Sequence, residues 1–342
     1  MTHAKMQQSD QNATLRISVV MCTYNGERFL HEQMESILRQ SYPVEEIIVQ
    51  DDGSTDSTMQ ILEDYAQRYP QIRVCSNDSG QHGINGNFFS AMLKARGDYI
   101  AISDQDDVWV ADKLRLQAEA IGDRLLCSGF SVPFSEDGFP VSVDMRRPCL
   151  HVLRNCYLSE MPGHTMLFRR ELLGMLRGGG AAIPLYYDWQ LACAAAAAES
   201  VAFVDKELVR FRRHNAAATA TVPVDSTLLS RGAWDYVRTS LFHHRFLQEQ
   251  IRQRFTMVQP FLELLPADTP SRTAALQMSR LQLHKGPVWF MRRVTFFVRH
   301  SHCLFHTEER RPVVRVLRAM FFVYSCGYYY RSCLPQSKTR IK

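Results

Sequence analysis

Residues 100 to 109 read "IAISDQDDVW", which sets three carboxylates, Asp104, Asp106 and Asp107, directly behind an apolar run. Carboxylates crowded at the end of a buried strand repel one another and need a cation to stay ionised together. An Asp-x-Asp pair offers hard oxygens suited to Mg2+ or Mn2+, ions that also take ligands from substrate phosphates. The other reading is a cluster of acids at the N-terminus of a helix beginning near Val110, where the helix dipole favours them. Two more polar segments, "CTYNGE" from Cys22 and "QDDGSTD" from Gln50, follow apolar runs in the same way. Their recurrence weighs toward the metal.

The elements that must position these segments are legible from periodicity. Ile17–Cys22 is an apolar, β-branched run that reads as a buried parallel strand. From Glu27 to Gln40 apolar residues recur at 29, 30, 34, 37 and 38, near helical spacing. "EEIIVQDDGSTDST" is a second strand and loop, with Asp56 as N-cap of a helix running to about Arg68. "IRVCSN" is a third strand, a helix follows from about Asn85 to Ala95, and "GDYIAIS" is a fourth strand. This alternation predicts a doubly wound α/β sheet, whose ligands bind beyond the strand C-termini. All three polar segments fall there.

Beyond residue 125 the pattern loosens. "RLLCSGFSVPFSEDGFPV" reads as strand, turn and strand, and "PGHTMLFRREL" as a strand entering a helix. "LRGGGAAIP" reads as a loop, without the Gly-Lys-Ser/Thr of a P-loop. "YYDWQLACAAAAAES" is strongly helix-forming, "VAFVDKELVRFRRHN" is one or two strands, and 216–224 is a loop or linker. From Asp225 to about Met278 the chain is helix-like, with a break marked by Pro266 and Pro270.

Composition bounds the partners. The 342 residues carry a net charge of +5, with 46% hydrophobic and 22% charged residues, ordinary for a globular chain. Residues Lys285 to Lys342 hold 12 Lys/Arg against 2 Glu, so the rest of the chain is mildly acidic. Nine scattered cysteines without a C-x-x-C exclude a zinc site or disulfide framework and fit a cytosolic protein. The polar first fifteen residues lack the apolar stretch of a signal peptide, and no run reaches the roughly 18 to 20 apolar residues of a membrane span. No G-x-G-x-x-G follows the first strand, which argues against a dinucleotide-binding dehydrogenase.

In this order, "SVVMCTYNGERFLHEQMESILRQSYPVEEIIVQDDGSTDST", "GDYIAISDQDDVW", "YYDWQLA" and "FRRHN" resemble a family 2 glycosyltransferase of GT-A fold, in particular the bacterial rhamnosyltransferase-like branch. The resemblance is dense from Arg16 to about Val110 and ordered to about Asn215. It implies that Thr23, Tyr24 and Asn25 contact the donor nucleotide and that Asp52 reads its pyrimidine, with Asp51 as structural neighbour. It implies that Asp104 and Asp106 hold the divalent ion bridging the donor diphosphate, Asp106 by direct ligation, with His214 approaching the metal or diphosphate. Asp188, at the start of its helix, would be the general base of an inverting transfer; on residues alone it could be a helix N-terminal acid. Gly163, His164 and Thr165 would line the acceptor side. Trp189, Tyr186 and Tyr187 offer apolar faces to a sugar, or pack in the core. Arg212 and Arg213 could neutralise phosphate or stand in solvent. The branch pattern is altered at Tyr187 and Gln190, at Cys127–Gly129 and at Gly86, which leaves L-rhamnose from dTDP-rhamnose as the leading donor.

The expected layout is a disordered segment 1–15, a GT-A catalytic domain 16–220, a helical region 221–284 and a basic amphipathic extension 285–342. In the extension, Val313, Val316, Leu317, Met320 and Phe321 have helical spacing, with Arg311, Arg315 and Arg318 between them. That pattern suits a helix lying on an anionic membrane; the other reading packs it on the catalytic domain. No motif supports nucleic acid as partner. The function expected is transfer of a sugar to a hydroxyl of a polyprenyl-linked glycan during capsule, O-antigen or exopolysaccharide synthesis, by a cytoplasmic enzyme peripheral on the inner face of the cell membrane. The competing readings are a nucleotidyltransferase or other nucleotide-diphosphate enzyme, and a non-catalytic carbohydrate-binding scaffold at the membrane.

Overall fold

The computed structural model describes residues 14–139, 141, 143–176, 185–214, 233–305 and 309–325. The segment 1–15 lies outside them except for its last two residues, as do the glycines of the 176–184 loop, the linker 216–224 and residues 326–342.

Eight strands form one sheet: β1 (Ile17–Thr23), β2 (Glu46–Asp51), β3 (Ile72–Ser76), β4 (Tyr99–Ser103), β5 (Val108–Trp109), β6 (Leu126–Phe134), β7 (Leu167–Arg169) and β8 (Val201–Arg212). Their order is β3-β2-β1-β4-β7-β6-β8-β5. The first four pair in parallel, as the alternation of strand and helix predicts. β7 then runs antiparallel to both β4 and β6, β6 and β8 are parallel, and β5 is antiparallel to β8. The sheet is mixed. The second strand expected after the turn at 135–138 is not formed among the described residues. β6 instead pairs with β8 to its end at Phe134, through a register irregularity at Gly129–Ser131.

Period-2 alternation splits the strands between two cores. Ile17, Val19 and Met21 of β1 join Ile47 and Val49 of β2 on one face, while Val20 and Ile48 join Ile100 and Ile102 of β4 on the other. The first face is covered by α1 (Leu30–Leu38), α2 (Thr58–Arg68) and α4 (Lys113–Ile121). In α1, Leu30, Met34 and Ile37 are buried at helical spacing. The opposite face is covered by α3 (Gly83–Leu93), α5 (Val152–Asn155), α6 (Glu171–Met175) and α7 (Tyr187–Ala197). Nearly every residue of α7 is buried. A helix apolar all round needs neighbours on every side, and α8 (Ala233–Leu264) and α9 (Pro270–Leu283) supply the outer one. The α9 N-terminus is capped by Thr269, whose hydroxyl accepts from Arg272 N at 3.1 Å and donates to Ala197 O at the end of α7. Phe255 and Phe261 of α8 pack edge-on against Tyr157 and tilted against Trp189. The helical region and the catalytic sheet therefore share one core.

The basic extension begins with α10 (Pro287–Arg299), α11 (Ser301–Leu304) and α12 (Pro312–Ser325). Val294, Phe296 and Phe297 are buried against the helical region, whereas Val288 and Met291 are exposed, as are Val313, Val316 and Leu317. The helices pack with one face and expose apolar side chains on the other. Met320 and Phe321 lie against the core. No helix among the described residues is long and apolar enough to cross a membrane.

Truncating a fully buried aromatic such as Phe255 removes contacts to both layers. Phe255→Ala is expected to lower stability by about 3 to 5 kcal/mol, and both layers should melt in one transition. Calorimetric unfolding checks this; a separate early transition of the helical region would contradict the shared core.

Candidate active site

The strand C-termini open into a cleft of ≈ 1440 Å³ lined by Tyr24, Asp52, Asp104, Asp106, Asp188 and His214, among others. It lies where a doubly wound sheet is expected to bind a ligand.

The first two loops are laced together. Thr23 Oγ1 donates to Asp51 Oδ1 at 2.8 Å, and Asp51 Oδ2 accepts from Gly53 N and Ser54 N at 2.9 and 2.7 Å. Asp51 is thus the structural member of its pair. Asn25 adopts φ of 49°, a left-handed conformation that asparagine tolerates. Its Oδ1 accepts from Thr55 N at 2.8 Å, and its own N–H donates to Ser54 Oγ at 2.8 Å. The Tyr24 ring is left 58% exposed at the cleft. Asp52 accepts from Gly83 N at 2.7 Å and Asn77 Nδ2 at 2.7 Å, and faces His82 Nδ1 at 2.8 Å. Burial raises this carboxyl, but the three hydrogen bonds outweigh it and hold Asp52 below the usual carboxylate range. It is an ionised acceptor at the cleft wall.

Each carboxylate of the 104–107 loop has its own partner. Asp104 Oδ2 lies 3.0 Å from His164 Nδ1, and Asp106 Oδ2 lies 3.0 Å from His214 Nε2. Asp107 is fully buried; its Oδ1 accepts from Arg212 N at 3.0 Å, while Oδ2 has no hydrogen bond and sits 3.3 Å from His164 Nδ1. His164 Nε2 is bonded to Ser131 Oγ at 2.8 Å. Burial pushes the Asp107 carboxyl up; it pulls the His164 imidazole down, but Asp107 and Asp104 outweigh this and raise it. These acidic neighbours favour its charged form, and a cation bound there would take that proton's place.

Arg212 does not face the cleft as a phosphate ligand. Its guanidinium is sandwiched between the rings of Phe29 and Phe134 at 4.6 Å each, donates from Nε to Asp106 O at 3.0 Å, and pairs with Glu32 and Glu136. It fastens the end of β8 to the acidic loop. Arg213 lines the cleft.

Asp188 stands in the first turn of α7 on the cleft, with Oδ1 accepting from Trp189 N at 2.7 Å. Burial pushes its carboxyl up to about 6, although the Trp189 N–H opposes this. Tyr186 is 58% exposed there, and the buried Tyr187 stacks on Phe88 at 4.2 Å. Gly163 lines the cleft because a Cβ would stand 2.3 Å from the Tyr187 hydroxyl. The structure places the other two expected acceptor-side residues elsewhere. Trp189 turns into the core, where Nε1 donates to Asn155 O at 2.6 Å, since it faces α8 from the buried side of α7. Thr165 is buried, with its hydroxyl donating to Pro162 O at 2.7 Å.

Asp104, Asp107 and His164 can each offer one ligand atom within 4.8 Å of the others. The unbonded Asp107 Oδ2, and a buried His214 Nδ1 also without a hydrogen bond, are groups a cation would satisfy. The residues therefore fit a divalent metal. The structure gathers Asp104 with Asp107 and His164, and sets the expected ligands Asp106 and His214 beside each other.

One residue escaped the sequence reading. Gln105 Oε1 accepts from Tyr24 N at 2.9 Å and Nε2 donates to Tyr24 O at 3.0 Å, so the acidic loop grips the first loop by its backbone. Gly26 leaves the room, since a Cβ there would sit 2.4 Å from Gln105 Oε1. The signal in the sequence was a glutamine enclosed by aspartates. Gln105→Leu should remove both bonds, each worth about 1 kcal/mol. The Tyr24 amide is then expected to exchange with deuterium about fivefold to tenfold faster in the ligand-free protein; unchanged exchange would deny the grip.

The chain's likenesses agree with this geometry. Residues 18–176 match the family described as Glycosyl transferase family 2. The dTDP-rhamnosyl transferase RfbG of Shigella flexneri is 38% identical over 99 residues, covering 28% of this chain and 34% of that protein. The chain spans less than two thirds of the length of the curated relatives it matches. The fold is similar to that of S. aureus TarS 1-349 in complex with UDP-GlcNAc, with a TM-score of 0.56 at 17% identity over 94% of this chain and 93% of that one. It is also similar to the mannosyltransferase PcManGT from Pyrobaculum calidifontis in complex with GDP-Man and Mn2+, with a TM-score of 0.50 at 18% identity over 95% and 89%. Residues 18–176 thus form a glycosyl transferase family 2 domain, and its fold is GT-A.

Proposed function

We propose that the chain transfers a sugar, with inversion, from a nucleoside diphosphate donor to an acceptor hydroxyl, assisted by Mg2+ or Mn2+. The observation that carries this reading is Asp188, a carboxyl raised to about 6 that faces the same cleft as the acidic loop. A base poised near neutrality can take a hydroxyl proton and remain mostly ionised at pH 7. Thr23, Tyr24 and Asn25 would hold the nucleotide, and the ionised Asp52 would accept the N3–H of a pyrimidine. Asp104, Asp106 and His214, with Asp107 and His164 behind them, would hold the cation. When bound, the cation offsets charge on the leaving diphosphate. Asp188 accepts the acceptor proton as the oxygen bonds to the anomeric carbon, while the bond from that carbon to the diphosphate breaks on the opposite face. Gly163, His164 and the Tyr186 ring would form the acceptor wall.

The likeness to a dTDP-rhamnosyl transferase supports L-rhamnose as the sugar and dTDP as its carrier. The PcManGT complex with GDP-Man and Mn2+ supports the cation. A polyprenyl-linked glycan as acceptor, in capsule, O-antigen or exopolysaccharide synthesis, suits a protein peripheral on the inner face of the cell membrane. The basic extension with its exposed Val313, Val316 and Leu317 supports that placement.

Asp188→Asn is expected to keep nucleotide binding and lose transfer by about 10²- to 10⁴-fold; full turnover would remove it as the base. Because the ionised form is required, kcat/KM of the wild type should fall about tenfold per pH unit below pH 6. Asp106→Ala should abolish the Mn2+ dependence of dTDP or UDP binding in calorimetry, and an unchanged dependence would exclude it as ligand. Deleting 285–342 would strip buried aromatics from the core, so the membrane reading is tested at exposed positions. Val313→Asp with Leu317→Asp should release the protein from anionic vesicles without changing its melting temperature; undiminished binding would refute that surface.

A further inference from the structure

A second cavity, of ≈ 560 Å³, lies among the C-terminal helices, far along the chain from the strand ends, and none of the residues of the cleft lines it. It is walled by α8, the α9–α10 connection, α10 and α12. Its floor is apolar: Ile251, Val294, Phe297 and Ala319 are buried there, with Phe290 and Met320 half-buried beside them. Its rim carries Arg245, Arg252, Lys285 and Arg293 against one carboxylate, Glu249. Glu249 is shared by Arg252 and by Lys285, the latter at 3.3 Å. Arg293 is buried, and its Nη1 donates to His284 O at 3.0 Å, which fixes it at the wall. His284, stacked on Trp289 at 4.0 Å, completes the rim.

Among the described residues the rim therefore carries more positive than negative side chains above an apolar floor. A neutral sugar would add no negative charge to this rim, and a free phosphate would leave the floor wet. A molecule with an anionic head and an apolar chain satisfies both, and ≈ 560 Å³ is an ordinary volume for such a site.

We infer that this cavity binds a phosphate-headed lipid chain, head at the Arg245/Lys285 rim and chain along the floor. That the natural occupant belongs to the acceptor's lipid rests on the proposed function; the chemistry of the cavity does not.

The test is calorimetric titration of the full chain with dodecyl phosphate below its micellar concentration, alongside dodecyl maltoside and inorganic phosphate. One saturable site for dodecyl phosphate is expected, with the other two at least tenfold weaker. Arg245→Glu with Lys285→Glu, both at exposed positions, should weaken it at least tenfold, and Val294→Phe should do so by filling the floor. No saturable heat, equal binding of the maltoside, equal binding of inorganic phosphate, or unchanged affinity in the charge-reversed variant would each overturn the inference. UDP titrated with Mn2+ into the same variants reads the cleft separately, so a failure at the cavity is distinguishable from a failure of the glycosyl-transfer reading.

Discussion

Negative charge packed at one strand end is the constraint that organises this molecule. Asp104, Asp106 and Asp107 cannot stay ionised side by side in a partly dry cleft without compensation, and removing the partner of a buried charge is strongly destabilising. Compensation comes from the other end of the catalytic domain. His164 meets Asp104 and Asp107, His214 meets Asp106, and Arg212 gives its N–H to Asp107 and its side chain to the Asp106 carbonyl. β8 must therefore run its full twelve residues to deliver Arg212 and His214 to the loop after β4. The β5–β8 pairing, immediately beyond the acidic loop, fixes that approach.

The same economy governs the rest of the rim. Asp51 is consumed in holding two loops against each other, while Tyr24, Asn25 and Asp52 line the cleft. Across the cleft, α7 presents Asp188 from its first turn while its remaining length is sealed on all sides. A carboxyl emerging from so dry a support loses hydration, and this is what lifts it toward neutrality. Position and acidity of Asp188 thus have one origin.

The sequence was most informative where structure is local. The first four strands were readable because each is a short apolar run closed by a polar turn, and β1, β2 and β4 are buried on both faces. Asp104, Asp106, Asp52 and Asp188 were readable because their loops sit at strand or helix ends. What was not readable depended on distant packing. The antiparallel run of β7 is set by its two neighbours, and its three residues carry no directional signal. Trp189 adjoins Asp188 in sequence, but a helical turn of about 100° per residue sends the two in different directions. Arg212 looked like a phosphate ligand because nothing local announces Phe29, Phe134, Glu32 and Glu136 around it. Gln105 was hidden because its partner is the backbone of Tyr24, to which no side-chain pattern can point.

The sheet divides two cores that touch almost no common side chains. Changes separated in this way combine nearly additively. Drift among the helices α8 to α10 therefore leaves the packing contacts of the α1 and α2 layer in place. A descendant of this chain can be repacked on one side of the sheet while inheriting the core of the other. The sheet acts as a firewall between two histories of substitution.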